Sequence, residues 1–358
     1  MVIQGEVGGG AGLIAGIDHE PTTSWLASNV GLAPPLSFDL VAGGRSNLTF
    51  KVTDATGQAV VLRRPPTSHV LATAHDMARE HRIITALDPT PVPVPKTLGL
   101  CLDAEVTGAP FYVMEFVNGH VLRDATTAAA GLDEAGRRRA SESIADVLAR
   151  LHAVDVDAVG LGDLGRREGY LSRQLQRWHG QYDKSQVEGA ERLTLIDRLY
   201  EQLSDAIPEQ EGVAIVHGDY RLDNTMLADD GSVAAVLDWE ICTLGDPLAD
   251  LGLLMVYWAE PGDSTTALSV APTTAPGFAS RAALKARYAD TTGRDVANLE
   301  YYIAFGYWKL ACILQGVLAR YLGGAGGGDR TGVETFAFQV QVLAEASAAA
   351  AAAAGLPA

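Results

Sequence analysis

Residues 213–240 read VAIVHGDYRLDNTMLADDGSVAAVLDWE, and the polar groups in that stretch decide how the rest of the chain is read. An apolar run at 213–216 ends in His217-Gly218-Asp219, and Asn224 follows five residues after Asp219. Asp229-Asp230-Gly231 is a turn signal. The second apolar run, 233–237, ends in Asp238-Trp239-Glu240. As a hairpin of two strands, the stretch delivers two carboxylates and one carboxamide to the same end. Singly, each has an ordinary structural role: Asp219 as a turn cap, Asn224 as an Asx turn. As a set they meet the needs of phosphoryl transfer. Asp219 receives the proton of an attacking hydroxyl, while Asn224 and Asp238 hold metal on a triphosphate. A carboxylate closing an apolar run, as Asp238 does, is costly unless paired or metal-bound, and Mg²⁺ bridging phosphate oxygens satisfies it. His217 is read as structural, orienting the loop.

Upstream, the pattern is strand-rich. The segment LVAGGRSN at 40–47 precedes a β-rich run at 48–52. Its Gly43-Gly44 pair lets backbone amides approach a phosphate, with Ser46 and Asn47 beside it. The next run, 59–63, follows the turn Asp54-Ala55-Thr56-Gly57. Alternation puts Val61 and Arg63 on one face, Val61 toward a base and Arg63 toward phosphates, with Arg64 as the rival cation. Glu80 lies on the following helix (72–87) and can pair with that cation; the plain alternative for both is an exposed surface charge. Prolines 89, 91, 93 and 95 end the helix, and strands are expected at 97–102 and 111–117.

After residue 120 the periodicity is helical. Ile144, Val147, Leu148 and Leu151 mark an amphipathic helix at 134–153. Further helices are expected at 168–180, 190–206, 248–258 and 301–322. A loop is expected at 261–278, a flexible break at 323–328, and a low-complexity alanine run at 348–354. The first twenty or so residues are Gly-rich and expected to be flexible. The chain is therefore read as α+β: a nucleotide-binding part at 1–117 and a helical part at 118–358 carrying the catalytic loop and acceptor pocket. Tyr170, Arg173, Trp178, Tyr257, Trp258 and the 301–320 helix are candidates for that pocket, with packing core as the alternative for the aromatics. Arg166, Arg167, Arg173 and Arg177 form a candidate basic patch.

Composition narrows the field. The 358 residues carry 27 basic and 44 acidic side chains, a net charge of −17. A general nucleic-acid binder would be basic, so none is expected as a partner. The acidity fits either solubility or steering of a cationic substrate. Cys101, Cys242 and Cys312 are too scattered for a disulfide framework or a zinc site, and a reducing cytoplasm is expected. The N-terminus does not read as a signal peptide. No uninterrupted apolar run approaches ~18 residues, so no membrane span is expected.

Taken together, these pieces resemble the protein-kinase-like fold, in its aminoglycoside phosphotransferase and choline kinase branch. His217-Gly218-Asp219 with Asn224 resembles the catalytic loop, and Asp238-Trp239-Glu240 the metal-binding segment that reads Asp-Phe-Gly in protein kinases. Residues 114–119, with Glu115 and Val117, resemble the hinge whose backbone holds adenine. GDPLADLG resembles the segment opening the next helix, with Asp250 buttressing the catalytic loop. More narrowly, GGRSN, VVLRRPP, VPVPKTLGLCLD, GAPFYVMEFVNG, RQLQRW and VHGDYRLDN resemble the kinase-like domains fused to acyl-CoA dehydrogenases. The resemblance implies a bilobal fold with a small antiparallel-sheet lobe and a larger helical lobe. It also implies ATP or GTP, Mg²⁺, and transfer of the γ-phosphate to the hydroxyl of a small molecule. That acceptor is either aminoglycoside-like or a metabolite such as a hydroxyacyl compound. Departures are Arg63 where a lysine is expected, a glycine loop without G-x-G-x-x-G spacing, and no long activation loop after Asp238. Arg63 also keeps open a nucleotide-binding pseudokinase with a regulatory role.

Overall fold

The computed structural model describes residues 14–41, 47–67, 76–186, 191–263, 271–322 and 333–357. The chain divides into two compact units. One comprises Met1–Val121 with Asn224–Ile241, the other Leu122–Asp223 with Cys242–Ala358. Residues 224–241 thus group with the strand-rich unit, although the helical part flanks them in sequence.

The first unit is built on five antiparallel strands in the order β1-β2-β3-β5-β4. These are β1 (Ser37–Leu40), β2 (Leu48–Thr53), β3 (Ala59–Arg64), β4 (Thr97–Cys101) and β5 (Phe111–Glu115). Alternation sorts the faces. Phe50 and Val52 of β2, Val60 and Leu62 of β3, and Phe111 and Val113 of β5 share one buried cluster with Leu26 of helix α1 (His19–Asn29). The turn between β2 and β3 is held by Asp54, whose carboxylate accepts the backbone N–H groups of Ala33, Thr56 and Gln58. The Ala33 bond and the Thr56 side chain lead in holding its pKa down to about 2. Register then pairs Arg63 with Thr49 on one side and Tyr112 on the other. Helix α2 (Met77–Leu87) is capped by Asp76, which accepts from Arg79 N, and buries Glu80, Ile83, Ile84 and Leu87.

Residues 213–240 do not form the single hairpin expected. Strand β6 (Ala214–Val216) pairs with β9 (Thr243–Gly245), whereas β7 (Thr225–Leu227) pairs with β8 (Val233–Val236). The three-residue β7 directly after Asn224 is too short to show a period of two, and it takes the partner that the pattern assigned to β6. The β7–β8 hairpin is tied into the first unit by Val236 N–H donating to Pro93 O (2.8 Å) and by the mutual bonds of Leu227 and His120.

The second unit is helical: α3 (Ala125–Gly131), α4 (Glu134–His152), α5 (Tyr170–Lys184), α6 (Thr194–Asp205), α7 (Leu248–Tyr257), α8 (Arg281–Thr292), α9 (Leu299–Arg320) and α10 (Val333–Ala353). Helices α3 and α8 were not expected. Each is short and opens on a side-chain cap, Asp124 and Ser280 respectively. Helix α7 is buried along nearly its whole length. Gly252 lets it lie against Tyr302 of α9, where a Cβ would meet Tyr302 atoms at 2.6–2.8 Å. No uninterrupted apolar run reaches membrane-spanning length, but by length and mean hydropathy α9 and residues Thr335–Ala353 of α10 would be long and apolar enough to cross a membrane. The apolar window of α9 is 61% buried inside the protein, which marks it as a core helix. Residues 348–354 largely extend α10. The glycine break at 323–328 lies outside the described residues, and so does 264–270 of the expected loop.

Candidate active site

In the first unit, one cation meets three carboxylates. Alternation points Arg63 away from the Leu62 face, toward α2. Its Nε lies 3.0 Å from Glu80 Oε2, and its Nη2 lies 2.5 Å from Asp238 Oδ1 and 3.9 Å from Glu240 Oε2. Glu80 is almost fully buried and also accepts from Tyr112 Oη (3.0 Å) and Asn47 Nδ2 (3.2 Å). Burial raises the Glu80 pKa, with Arg63 opposing it. Burial works against the charge on Arg63, but Glu80 foremost, then Tyr112, Asp238 and Glu240, more than offset it, so its pKa is raised and it stays cationic. Arg79 adds a second cation nearby, its Nη1 donating to Glu240 O at 3.5 Å. Asn47 bridges the cluster, donating from Nδ2 to Glu240 Oε2 at 3.1 Å, yet among the described residues its buried Oδ1 has no hydrogen-bond partner.

Asp238 has φ +66, the positive φ found among the described non-glycine residues. Such a conformation costs roughly 1–3 kcal/mol and persists only where the surroundings impose it. Buried Trp239 supplies the anchor, its Nε1 donating to Val236 O at 3.1 Å. Asn224, 9% exposed, ends a 3₁₀ turn, and its carbonyl accepts Leu237 N–H at 2.9 Å. Asn224 and Asp238 therefore flank the same open end of the β7–β8 hairpin. Arg64, the rival of Arg63, is buried on the opposite face and donates to the carbonyls of Gly16 and Thr107. Val61 is buried on the Arg63 face. Glu115 ends β5 exposed, and Val117 follows it half-buried. Gly43, Gly44 and Ser46 lie outside the described residues.

In the second unit, β6 delivers His217-Gly218-Asp219. Gly218 has φ +85, a conformation that favours glycine. Asp250 of α7 clamps the loop from within, accepting His217 N–H (2.6 Å) and Gly218 N–H (2.8 Å). His152 Nε2 approaches the same carboxylate at 3.3 Å, and His152 Nδ1 meets Tyr288 Oη at 2.7 Å. A carboxylate only accepts, so Nε2 carries the proton and Nδ1 accepts from Tyr288. His217 is fully buried and its Nδ1 takes Asp219 N–H at 3.3 Å, the orienting role expected of it.

Asp219 itself remains partly exposed, with its side chain at 27%. Arg221 Nε lies 3.3 Å from Asp219 Oδ2 and 3.1 Å from Asp223 Oδ1, with its guanidinium over the Tyr257 ring at 4.6 Å. Burial raises the Tyr257 pKa, and Asp219 adds to that. A pocket opens here, lined by Arg123, Arg221, Asp223, Leu254, Tyr257 and Trp258 among others. Of the residues expected to line the acceptor pocket, Tyr257 and Trp258 are in its wall. Tyr170 and Trp178 are buried, and Arg173 folds back onto the carbonyls of Glu168 and Arg166. Arg167 is spent on Asp157. Sequence reasoning missed Arg221 as a neighbour of Asp219, although it sits two positions downstream, where a turn returns side chains to one side.

The family described as "Phosphotransferase enzyme family" matches residues 37–288. Acyl-CoA dehydrogenase family member 10 of Mus musculus is 35% identical over 293 residues, covering 78% of this chain but 26% of the mouse protein. Across the first curated relatives the chain spans 26% to 41% of their length. A Ralstonia eutropha protein, solved under a provisional designation as an aminoglycoside phosphotransferase, is 35% identical with a TM-score of 0.77, covering 93% of this chain and 98% of that one. The GDP complex of aminoglycoside 2′-phosphotransferase-IIIa superposes with a TM-score of 0.60 at 15% identity, covering 93% and 99%, a likeness of fold alone.

Proposed function

Because this chain belongs to the phosphotransferase enzyme family, we propose that it moves the γ-phosphate of ATP or GTP, with Mg²⁺, to a hydroxyl of a small molecule. The observation that carries this is the Arg63 cluster: a buried cation spanning Glu80 and Asp238, with Asp238 held at positive φ and Glu240 beside them. Several carboxylates gathered at one place suit a divalent cation, and the buried Asn47 Oδ1, which has no partner among the described residues, is an acceptor open to a ligand. The residues present fit a magnesium-bound triphosphate.

In this reading Asn224 and Asp238 hold the metal, which when bound neutralises phosphate oxygens. Val61, Glu115 and Val117 receive the base, and Arg63, held by Glu80, neutralises phosphate charge beside Asn47. Gly43, Gly44 and Ser46 are proposed as the phosphate-facing loop. Asp219 orients the acceptor hydroxyl and takes its proton, so catalysis is positioning plus electrostatics. The Arg63–Glu80 pair supports a reading in which arginine stands in the place of the expected lysine, and with it an enzyme rather than a silent nucleotide binder. The pocket beside Asp219 combines an apolar floor, Leu254 and Trp258, with Arg123, Arg221 and Asp223, and Arg221 is paired with Asp219 and Asp223. Such a mixed lining suits a small hydroxyl-bearing molecule, an aminoglycoside or a metabolite such as a hydroxyacyl compound.

The test is nucleotide consumption with Mg²⁺ across aminoglycosides, choline-like amines, sugars and hydroxyacyl compounds. Acceptor-dependent turnover that vanishes in Asp219→Ala and Asp238→Ala is expected. Turnover unaffected by either substitution overturns the assignment.

A further inference from the structure

The Asp219 loop is held by a charge outside its own motif. Lys309 lies in the middle of α9, 5% exposed, and its Nζ donates to Gly218 O at 2.8 Å. The Trp178 ring of α5 faces the ammonium at 5.6 Å. An ammonium buried in a helical core is expensive unless compensated, and an apolar residue would fill this position in α9 at less cost. Burial holds the Lys309 pKa below the usual lysine value; Asp219 and Asp250 oppose that effect, and Arg177 adds to it.

The carbonyl that Lys309 holds belongs to the peptide whose N–H is that of Asp219. His217 Nδ1 takes this N–H, and Asp250 takes the two before it. Lys309 is thus the counterpart of Asp250, gripping the acceptor side of a loop whose donors Asp250 grips. Among the described residues, Arg221, Asp223, Tyr257 and His217 also lie beside Asp219.

We propose that Lys309 is a positioning residue for phosphoryl transfer: by holding Gly218 O it fixes the peptide plane that aims the Asp219 side chain. The proposal rests on Asp219 being the proton acceptor.

The experiment follows Mg·ATP turnover with water as acceptor in the wild type, Asp219→Asn, Lys309→Met and Lys309→Arg. Lys309→Met is expected to lower kcat about 10- to 100-fold, the scale of a small misplacement of a reacting group, while KM for ATP stays within about twofold. Lys309→Arg, which keeps a cationic donor for Gly218 O, should recover most of the lost kcat. Unchanged turnover in Lys309→Met overturns the proposal, as does a loss of kcat accompanied by an equal rise in KM, which is the signature of a structural lysine. If Lys309→Met does not fold by circular dichroism, Lys309→Gln takes its place, with the same fall in kcat at unchanged KM expected and wild-type kcat overturning the proposal. Wild-type-like turnover in Asp219→Asn would instead sink the assignment of Asp219, and the lysine proposal with it.

Discussion

Arg63 and Arg64 are adjacent in sequence and opposite in fate. Alternation along β3 placed one of them with Val61, but only α2, bringing Glu80 to 3.0 Å, and the hairpin carrying Asp238 decide that Arg63 holds the charged cluster. Removing it leaves the buried Glu80 without its cation. Arg63→Ala is therefore expected to destabilise the protein by about 3–5 kcal/mol in urea unfolding. Arg63→Lys keeps the charge but not the fork that spans two carboxylates; it should fold, and calorimetry should find weaker nucleotide binding. Asp219 is a different case, since it is partly exposed and held through its backbone. Asp219→Ala should reduce phosphoryl transfer by at least about 100-fold while the nucleotide dissociation constant stays within about twofold, because in the proposed mechanism its side chain serves the acceptor. Equal losses in both would show that Asp219 is needed for nucleotide binding as well.

Three helices of the second unit meet on one histidine: His152 ends α4, Asp250 opens α7 and Tyr288 lies on α8. Burial lowers the His152 pKa from 6.5, with Asp250 opposing it. The unfolded chain therefore binds this proton more readily than the folded one, so stability rises with pH across the window below 6.5 and falls as pH drops through it. The melting temperature is expected to decline from pH 6.5 toward pH 5, and His152→Gln should flatten that slope; an identical slope would show that other groups carry it. The helices themselves were legible because their apolar spacing is local, as with Ile144, Val147, Leu148 and Leu151. The pairing of β6 with β9 was not. Three-residue strands carry no readable period, and the turn at 229–231 belongs equally well to either hairpin.

At the level of the whole chain, a ligand that binds the folded state alone stabilises it by mass action, about 2.7 kcal/mol at a hundredfold excess over Kd. Mg·ATP or Mg·GTP should raise the melting temperature, and chelation with EDTA should remove most of the gain. The nucleotide that shifts the melt further is the preferred donor. No shift with either would contradict a nucleotide site at Arg63. The net charge of −17 could not locate that site. What matters there is a local gathering of carboxylates around Arg63, and total charge is silent on local potential.

The chain's own residues, read in order, determined the chemistry on offer: a carboxylate after a strand and a glycine, a carboxamide five positions on, a second carboxylate closing an apolar run, and a cation on a strand face. They also determined the family resemblance, because those spacings are short and local. Only the tertiary structure decided which charges meet. Arg63 finds Asp238 across 175 residues, and Lys309 finds Gly218 across 91. Such partners are selected by which faces are buried together, since a buried charge without a partner is too costly to keep, and no local periodicity records that choice.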